Sequence, residues 1–198
     1  MARCTRRASR YRQALRTESR VGENLSTFAA AVARGKNGWT ASELDLSGFA
    51  DIEEVVEGLR DVDPDAELSL LFVETDDLYL VILRLDEGDE LRVFGSESAF
   101  AAESRIGALL LGEIEVPVLG IDDLAVPLPA DDGEDEERAG IGADADPVGD
   151  SELLADLGIS SSRLLALCAH EGKLPADVTA EICQSLGCAD ELDELREA

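Results

Sequence analysis

The stretch Leu68-Ser-Leu-Leu-Phe-Val-Glu-Thr-Asp-Asp-Leu-Tyr-Leu-Val-Ile-Leu-Arg-Leu-Asp-Glu-Gly-Asp-Glu-Leu-Arg-Val-Phe94 decides the fold. Leu68 to Val73 is a continuous apolar run of strand length, Leu78 to Leu85 is a second, and Leu91 to Phe94 is a third. Asp76-Asp77 and Gly88-Asp89 separate them with residues that favour turns. The spacing predicts a three-stranded antiparallel meander with its first two strands inside a sheet.

Toward the N terminus, Leu25 to Val32 is apolar and leads into Arg34-Gly35-Lys36-Asn37-Gly38. Beyond that turn, Trp39, Ala41, Leu44 and Leu46 alternate roughly with polar residues. Two such runs around a Gly- and Asn-containing turn predict a β-hairpin. Asp51 is placed to cap a helix, with Glu54 three residues on, and Ile52, Val55, Val56 and Leu59 share one helical face. Asp63-Pro64-Asp65 stops it. Toward the C terminus, Ser96 opens a longer helix with Ala99, Ala102, Ile106, Leu109 and Leu110 on one side and Gly112 at its end. The predicted class is α+β, an antiparallel sheet of about five strands with two helices on one face. Val116 to Pro129 is an extended, Pro-punctuated stretch that could return to the sheet edge.

Past Pro129 the composition changes. Asp131 to Glu137 carries six acids in seven residues, followed by Gly140, Gly142, Pro147 and Gly149, the signature of an extended, self-repelling linker. A helical module follows, with Leu153, Leu154 and Leu157 before Gly158, then Leu164, Leu167 and Cys168 behind a Ser160 cap. Pro175 sits at a first helical position ahead of Val178, Ile182 and Leu186, and Asp190 starts a last helix with Leu192 and Leu195. Each helix is too short to stand alone and needs a packing surface. The expected organisation is a disordered basic extension over 1–24, an α+β domain over 25–129, an acidic linker over 130–149 and a small helical module over 150–198.

Charge is distributed unevenly. Seven of the chain's 17 basic residues, all arginines from Arg3 to Arg20, fall within residues 1–20 beside one of its 44 acids, Glu18, which leaves the remainder at -33. A surface that negative repels phosphate backbones, so the folded body is not expected to bind nucleic acid, and it suits a basic protein surface instead. Four cysteines, Cys4, Cys168, Cys183 and Cys188, are too few and too uneven for a disulfide framework. No apolar run reaches membrane-spanning length, and the basic start lacks the apolar core of a signal peptide, so a cytoplasmic setting is expected.

Candidate chemistry is sparse. Cys168, His170, Cys183 and Cys188 offer four side chains of metal-ligating type. Their spacing departs from the usual zinc pairs, and Cys168 and Cys183 fall within apolar helical patterns, so small buried thiols explain them better than a metal. Cys168 and His170 lie two apart on a helix and point in different directions, against a thiolate–imidazole pair. Gly35-Lys36-Asn37-Gly38 lacks the spacing of a phosphate loop. No catalytic, cofactor or metal residues are therefore assigned, and a non-enzymatic protein is expected.

Several short motifs resemble one family. Phe28-Ala-Ala-Ala-Val-Ala-Arg with Trp39 across the turn, Leu70-Leu-Phe-Val-Glu-Thr-Asp-Asp, Arg92-Val-Phe and Ala101-Ala-Glu-Ser are similar to elements of the actinobacterial tRNA adenosine deaminase-associated proteins. So are Leu174-Pro-Ala-Asp and Leu186-Gly-Cys-Ala-Asp-Glu-Leu in the helical module. The resemblance implies a partner, the tRNA adenosine deaminase, and no functional residues. The chain is not the deaminase, which needs H-x-E and P-C-x-x-C, since its one histidine is followed by Glu171 and Gly172 and no C-x-x-C is present. The expected function is an accessory protein that binds the basic deaminase or another basic cytoplasmic partner. An acidic mimic that competes with tRNA and a small zinc-binding protein remain as alternatives.

Overall fold

A computed structural model describes residues 27–36, 38–75, 78–112, 146–169 and 172–197. The expectations for 1–24, for Val116 to Pro129, for the acidic run and for the turn at Asp76-Asp77 lie outside these residues.

The hairpin forms as β1 (Thr27–Gly35) and β2 (Gly38–Glu43), with Arg34 opposite Trp39 and Ala30 opposite Glu43. The meander is β3 (Leu68–Thr75), β4 (Tyr79–Asp86) and β5 (Glu90–Gly95). A two-residue strand, β6 (Val148–Gly149), joins β5 and completes a six-stranded antiparallel sheet in the order β2-β1-β3-β4-β5-β6. The α+β class is as expected, with one strand more. Gly149 has a φ of 86°, and a Cβ there would lie 2.1 Å from the Val93 carbonyl oxygen, so only glycine lets β6 approach β5 this closely.

On one face lies α1 (Ile52–Val62), capped as predicted, with the Asp51 carboxylate accepting from Glu54 N–H at 3.0 Å and Glu54 accepting from Ala50 N–H at 2.6 Å. Val55 and Leu59 are buried against Ala29, Ala31, Leu71 and Val73. The single long helix expected after Ser96 is two helices, α2 (Phe100–Glu103) and α3 (Arg105–Leu111). Ser104 breaks them with extended backbone (φ -133°, ψ 140°) and caps α3 by accepting from Ile106 and Gly107 N–H. Ser96 instead ends β5, its hydroxyl accepting from Leu80 N–H at 3.0 Å.

The C-terminal module packs on the sheet as well. The second face is covered by α4 (Ser161–Ala169), α5 (Pro175–Leu186) and α6 (Ala189–Glu197). Leu153, Leu154, Leu164, Ile182 and Leu192 share one buried cluster with Ala30, Val32, Leu70, Phe72, Leu80, Ile82 and Phe94 of the sheet. The first-domain helices α1, α2 and α3 share one face as expected, and the C-terminal module, whose packing surface the sequence left open, covers the other and makes a three-layer sandwich. The continuous runs in β3 and β4 are the reason, since a strand buried on both faces needs apolar residues at every position. No helix among the described residues is long and apolar enough to cross a membrane.

One buried cation ties the two layers together. Arg84, 5% exposed on β4, donates to both carboxylate oxygens of Asp86 at 2.8–2.9 Å and to the Leu153 carbonyl at 2.6 Å, and it forms a bidentate pair with Asp156. The Arg84 hydrogen bonds hold the Asp156 carboxyl below the usual carboxylate range. A depressed folded value means the stabilisation is present above about pH 3.9, the unfolded value, and is lost as pH falls through the folded one. Asp156→Asn is therefore expected to cost roughly 1–2 kcal/mol at neutral pH, discounted for a half-exposed carboxylate, and to flatten the stability loss below about pH 4. Urea unfolding at a series of pH values checks it, and an unchanged acid slope would remove this pair as a source of acid sensitivity.

Candidate protein-docking face

The cysteines are brought together only in part. Cys183 on α5 and Cys188 just after it have no exposed surface, while Cys168 on α4 is half-buried. Cys183 and Cys188 occupy a helix-terminating turn in which Gly187 (φ 81°) and Cys188 both donate N–H groups to the Cys183 carbonyl at 2.8 and 3.0 Å. Such turns bring the two flanking side chains into contact. Burial pushes the Cys168 thiol up to about 11. The Cys183 thiol is raised by its hydrogen bond to Cys188 and by burial. Neither supplies a thiolate at neutral pH. His170 lies outside the described residues, and among those residues no three ligating side chains converge.

A cleft of about 270 Å³ opens between the sheet and the C-terminal helices, lined by Leu78, Tyr79, Leu80, Cys168, Lys173 and Val178 among others. Two of its polar side chains are already engaged. Lys173 pairs with Glu181, and the Tyr79 hydroxyl donates to Glu103 at 2.5 Å, which pushes it up to about 12. Tyr79 also stacks on Phe100 at 4.8 Å. These groups fix the packing between layers and form no nucleophile–base pair.

The sheet's β2 edge is different. Trp39 and Ala41 turn toward α6, whereas the alternate residues Thr40 and Ser42 turn toward α1, where they are exposed and half-buried. Among the described residues no strand pairs with the outer side of β2, so its backbone groups there are open. Between this edge and α1 runs a groove of about 590 Å³ lined by Ser42, Leu44, Phe49, Glu54, Glu57 and Asp61. Gly58 makes its floor possible, since a Cβ there would meet Leu44 at 3.0 Å and Phe49 at 3.1 Å. On the opposite side of the edge, α6 carries Asp190, Glu191, Asp193 and Glu194.

Most of the folded body's ion-paired cations are engaged away from the groove, while Arg105 bonds the Ser47 and Phe49 carbonyls at its rim and Arg34 lies over Trp39. Arg84 and Arg92 bind Asp86, Asp150 and Asp156 at the other end of the sheet, Arg163 and Lys173 bind Glu181, and Arg60 bonds the Gly88 carbonyl. Among the described residues no cation pairs with Glu54, Glu57 or Asp61. Sequence reasoning found the acidity but not this groove, which depends on where α1 settles beside the hairpin. The polar alternation at Thr40 and Ser42 was the one local sign of it.

A comparison with curated proteins finds no match, and neither does one with solved structures. The model of the Rv3753c-like tRNA adenosine deaminase-associated proteins matches residues 27–189, from the first strand of the sheet to the start of α6. With the whole sheet and helices α1 to α5 inside that match, the chain belongs to the Rv3753c-like tRNA adenosine deaminase-associated protein family.

Proposed function

We propose that this protein is a non-enzymatic accessory factor that binds the tRNA adenosine deaminase, in the cytoplasm, through the acidic edge formed by β2, α1 and α6. The supporting observation is that, among the described residues, no cation pairs with Glu54, Glu57 or Asp61 and no strand covers the outer side of β2. Open backbone groups supply hydrogen bonds to an added strand, and the flanking carboxylates select a basic one. The family name, which links its members to the tRNA adenosine deaminase, supports this choice of partner.

Titration of the full chain into purified deaminase at low and high salt tests the reading. Binding at low salt that weakens as salt rises is expected. Reversing Glu57→Lys and Asp61→Lys together, which leaves the Glu54 cap intact, should weaken it about tenfold or more, with unchanged folding by circular dichroism. Absence of low-salt binding, or equal affinity of the reversed variant, would sink the proposal. Displacement of tRNA from the deaminase would replace accessory binding with nucleic-acid mimicry.

A further inference from the structure

We propose that Cys183 and Cys188 form a modification site, a buried dithiol that a peroxide converts reversibly to a disulfide when α6 opens. The turn between α5 and α6 supplies the geometry. Gly187, at a φ of 81°, reverses the chain after α5, and the Cys188 N–H then donates to the Cys183 carbonyl at 3.0 Å. With standard bond lengths that contact holds the two Cα atoms within about 7 Å, the reach of a disulfide. The side chains converge as well, since the two thiols hydrogen-bond each other. Cys168 differs, because burial alone shifts its thiol.

The two sulfurs are not equivalent. Cys188 immediately precedes Ala189, the first residue of α6, and its carbonyl accepts from Leu192 N–H at 3.3 Å. Its thiol therefore stands at a helix N-terminus, which favours a thiolate. The hydrogen bond that the Cys183 thiol donates lowers the Cys188 thiol further, against burial and Glu191, and raises that of Cys183. Cys188 is the attacking sulfur. Its thiolate takes one oxygen from the peroxide O–O bond and becomes a sulfenic acid, while the other oxygen leaves as water with the proton that Cys188 gave up. The Cys183 sulfur then attacks the Cys188 sulfur, forming the S–S bond and expelling the remaining oxygen as water with the Cys183 proton. A dithiol reductant reverses the change by exchange and ends as a disulfide itself.

Neither sulfur has exposed surface, so the reaction needs an opening, and α6 provides it. Cys183, Cys188 and Leu192 share one buried cluster, so lifting α6 uncovers both sulfurs. Of the nine residues of α6 only Leu192 is fully buried. Asp190, Glu191, Asp193, Glu194 and Glu197 repel one another, with Arg196 the helix's one cation. Elements with few buried apolar contacts are the first to open.

Peroxide treatment of the folded full chain tests the site. After a quench, free thiols are alkylated in denaturant, and the tryptic peptide from Leu174 to Arg196, which carries both sulfurs, is weighed. It should lose two hydrogen atoms and accept no alkylation, and dithiothreitol should restore both alkylations. About 1 M urea, short of unfolding, should speed the reaction about twofold or more by opening α6. Both alkylations retained at a peroxide dose that oxidises the urea-unfolded chain would overturn the proposal. So would sulfinic acid in place of the disulfide, a bond to Cys4 or Cys168, or a rate indifferent to urea. No partner enters this test, so its outcome and that of the deaminase titration are independent.

Discussion

Replacing Ile182 by alanine is expected to lower the urea midpoint of the whole chain, not of its last helices alone. Ile182 has no exposed surface and belongs to the buried cluster that contains Phe72, Leu80, Ile82 and Phe94 of the sheet. Deleting its outer atoms removes burial and leaves a cavity, a loss of about 2–5 kcal/mol. Typical domains hold only about 5–15 kcal/mol in total, so the shift should be plain. The single tryptophan is a convenient reporter, because Trp39 is packed against this same cluster with Arg34 5.7 Å over its ring. Its fluorescence and the far-ultraviolet circular dichroism should lose their native values at one shared, lowered midpoint. Two separate transitions would show that α4 to α6 unfold independently of the sheet.

Gly107→Ala is the second large effect, and its sign runs against helix propensity. In an exposed helix the exchange gains about 1 kcal/mol. Here a Cβ would sit 2.0 Å from the Phe100 carbonyl oxygen and 2.5 Å from its carbon, which are backbone atoms of the preceding helix with little freedom to yield. Separating α2 from α3 also disturbs Phe100, fully buried and stacked on Tyr79. A net loss of roughly 1–3 kcal/mol is expected from overpacking. Ala108→Gly, next along α3 and exposed, should lose about 1 kcal/mol for the ordinary propensity reason. Thermal unfolding of both variants settles the matter: a stabilised Gly107→Ala protein would mean the elbow at Ser104 opens at no cost.

The same elbow shows where sequence reasoning stops. Ala99, Ala102, Ile106 and Leu110 keep a helical period across Ser104, so the pattern reads as one helix. The break depends on a close approach of Gly107 to Phe100 that no spacing encodes. The hairpin, the Asp51 cap and the meander were legible because turn residues and apolar runs act locally. The cover on the second face was half-legible. Continuous runs at Leu68 to Val73 and Leu78 to Leu85 imply two buried faces, yet the helices that bury the second one lie more than sixty residues downstream. The acidic composition was plain, whereas its concentration beside an open edge required the placement of α1 against β2. The four candidate ligands shared a stretch of sequence; among the described ones, Cys183 and Cys188 meet in a helix-ending turn.

The two-sided sheet sets a timetable for biosynthesis. β1 to β5 and the helices of the first face are complete by Gly112, but the described residues downstream that cover Leu70, Phe72, Leu80 and Ile82 begin at Leu153 and end at Leu192. At about 5–20 residues per second, the ribosome leaves that apolar face bare for several seconds. A nascent chain in this state exposes a greasy plane of strands and invites chaperone capture or self-association. Truncations before Leu192 should therefore accumulate in inclusion bodies, because α6 is needed to seal this face of the sheet.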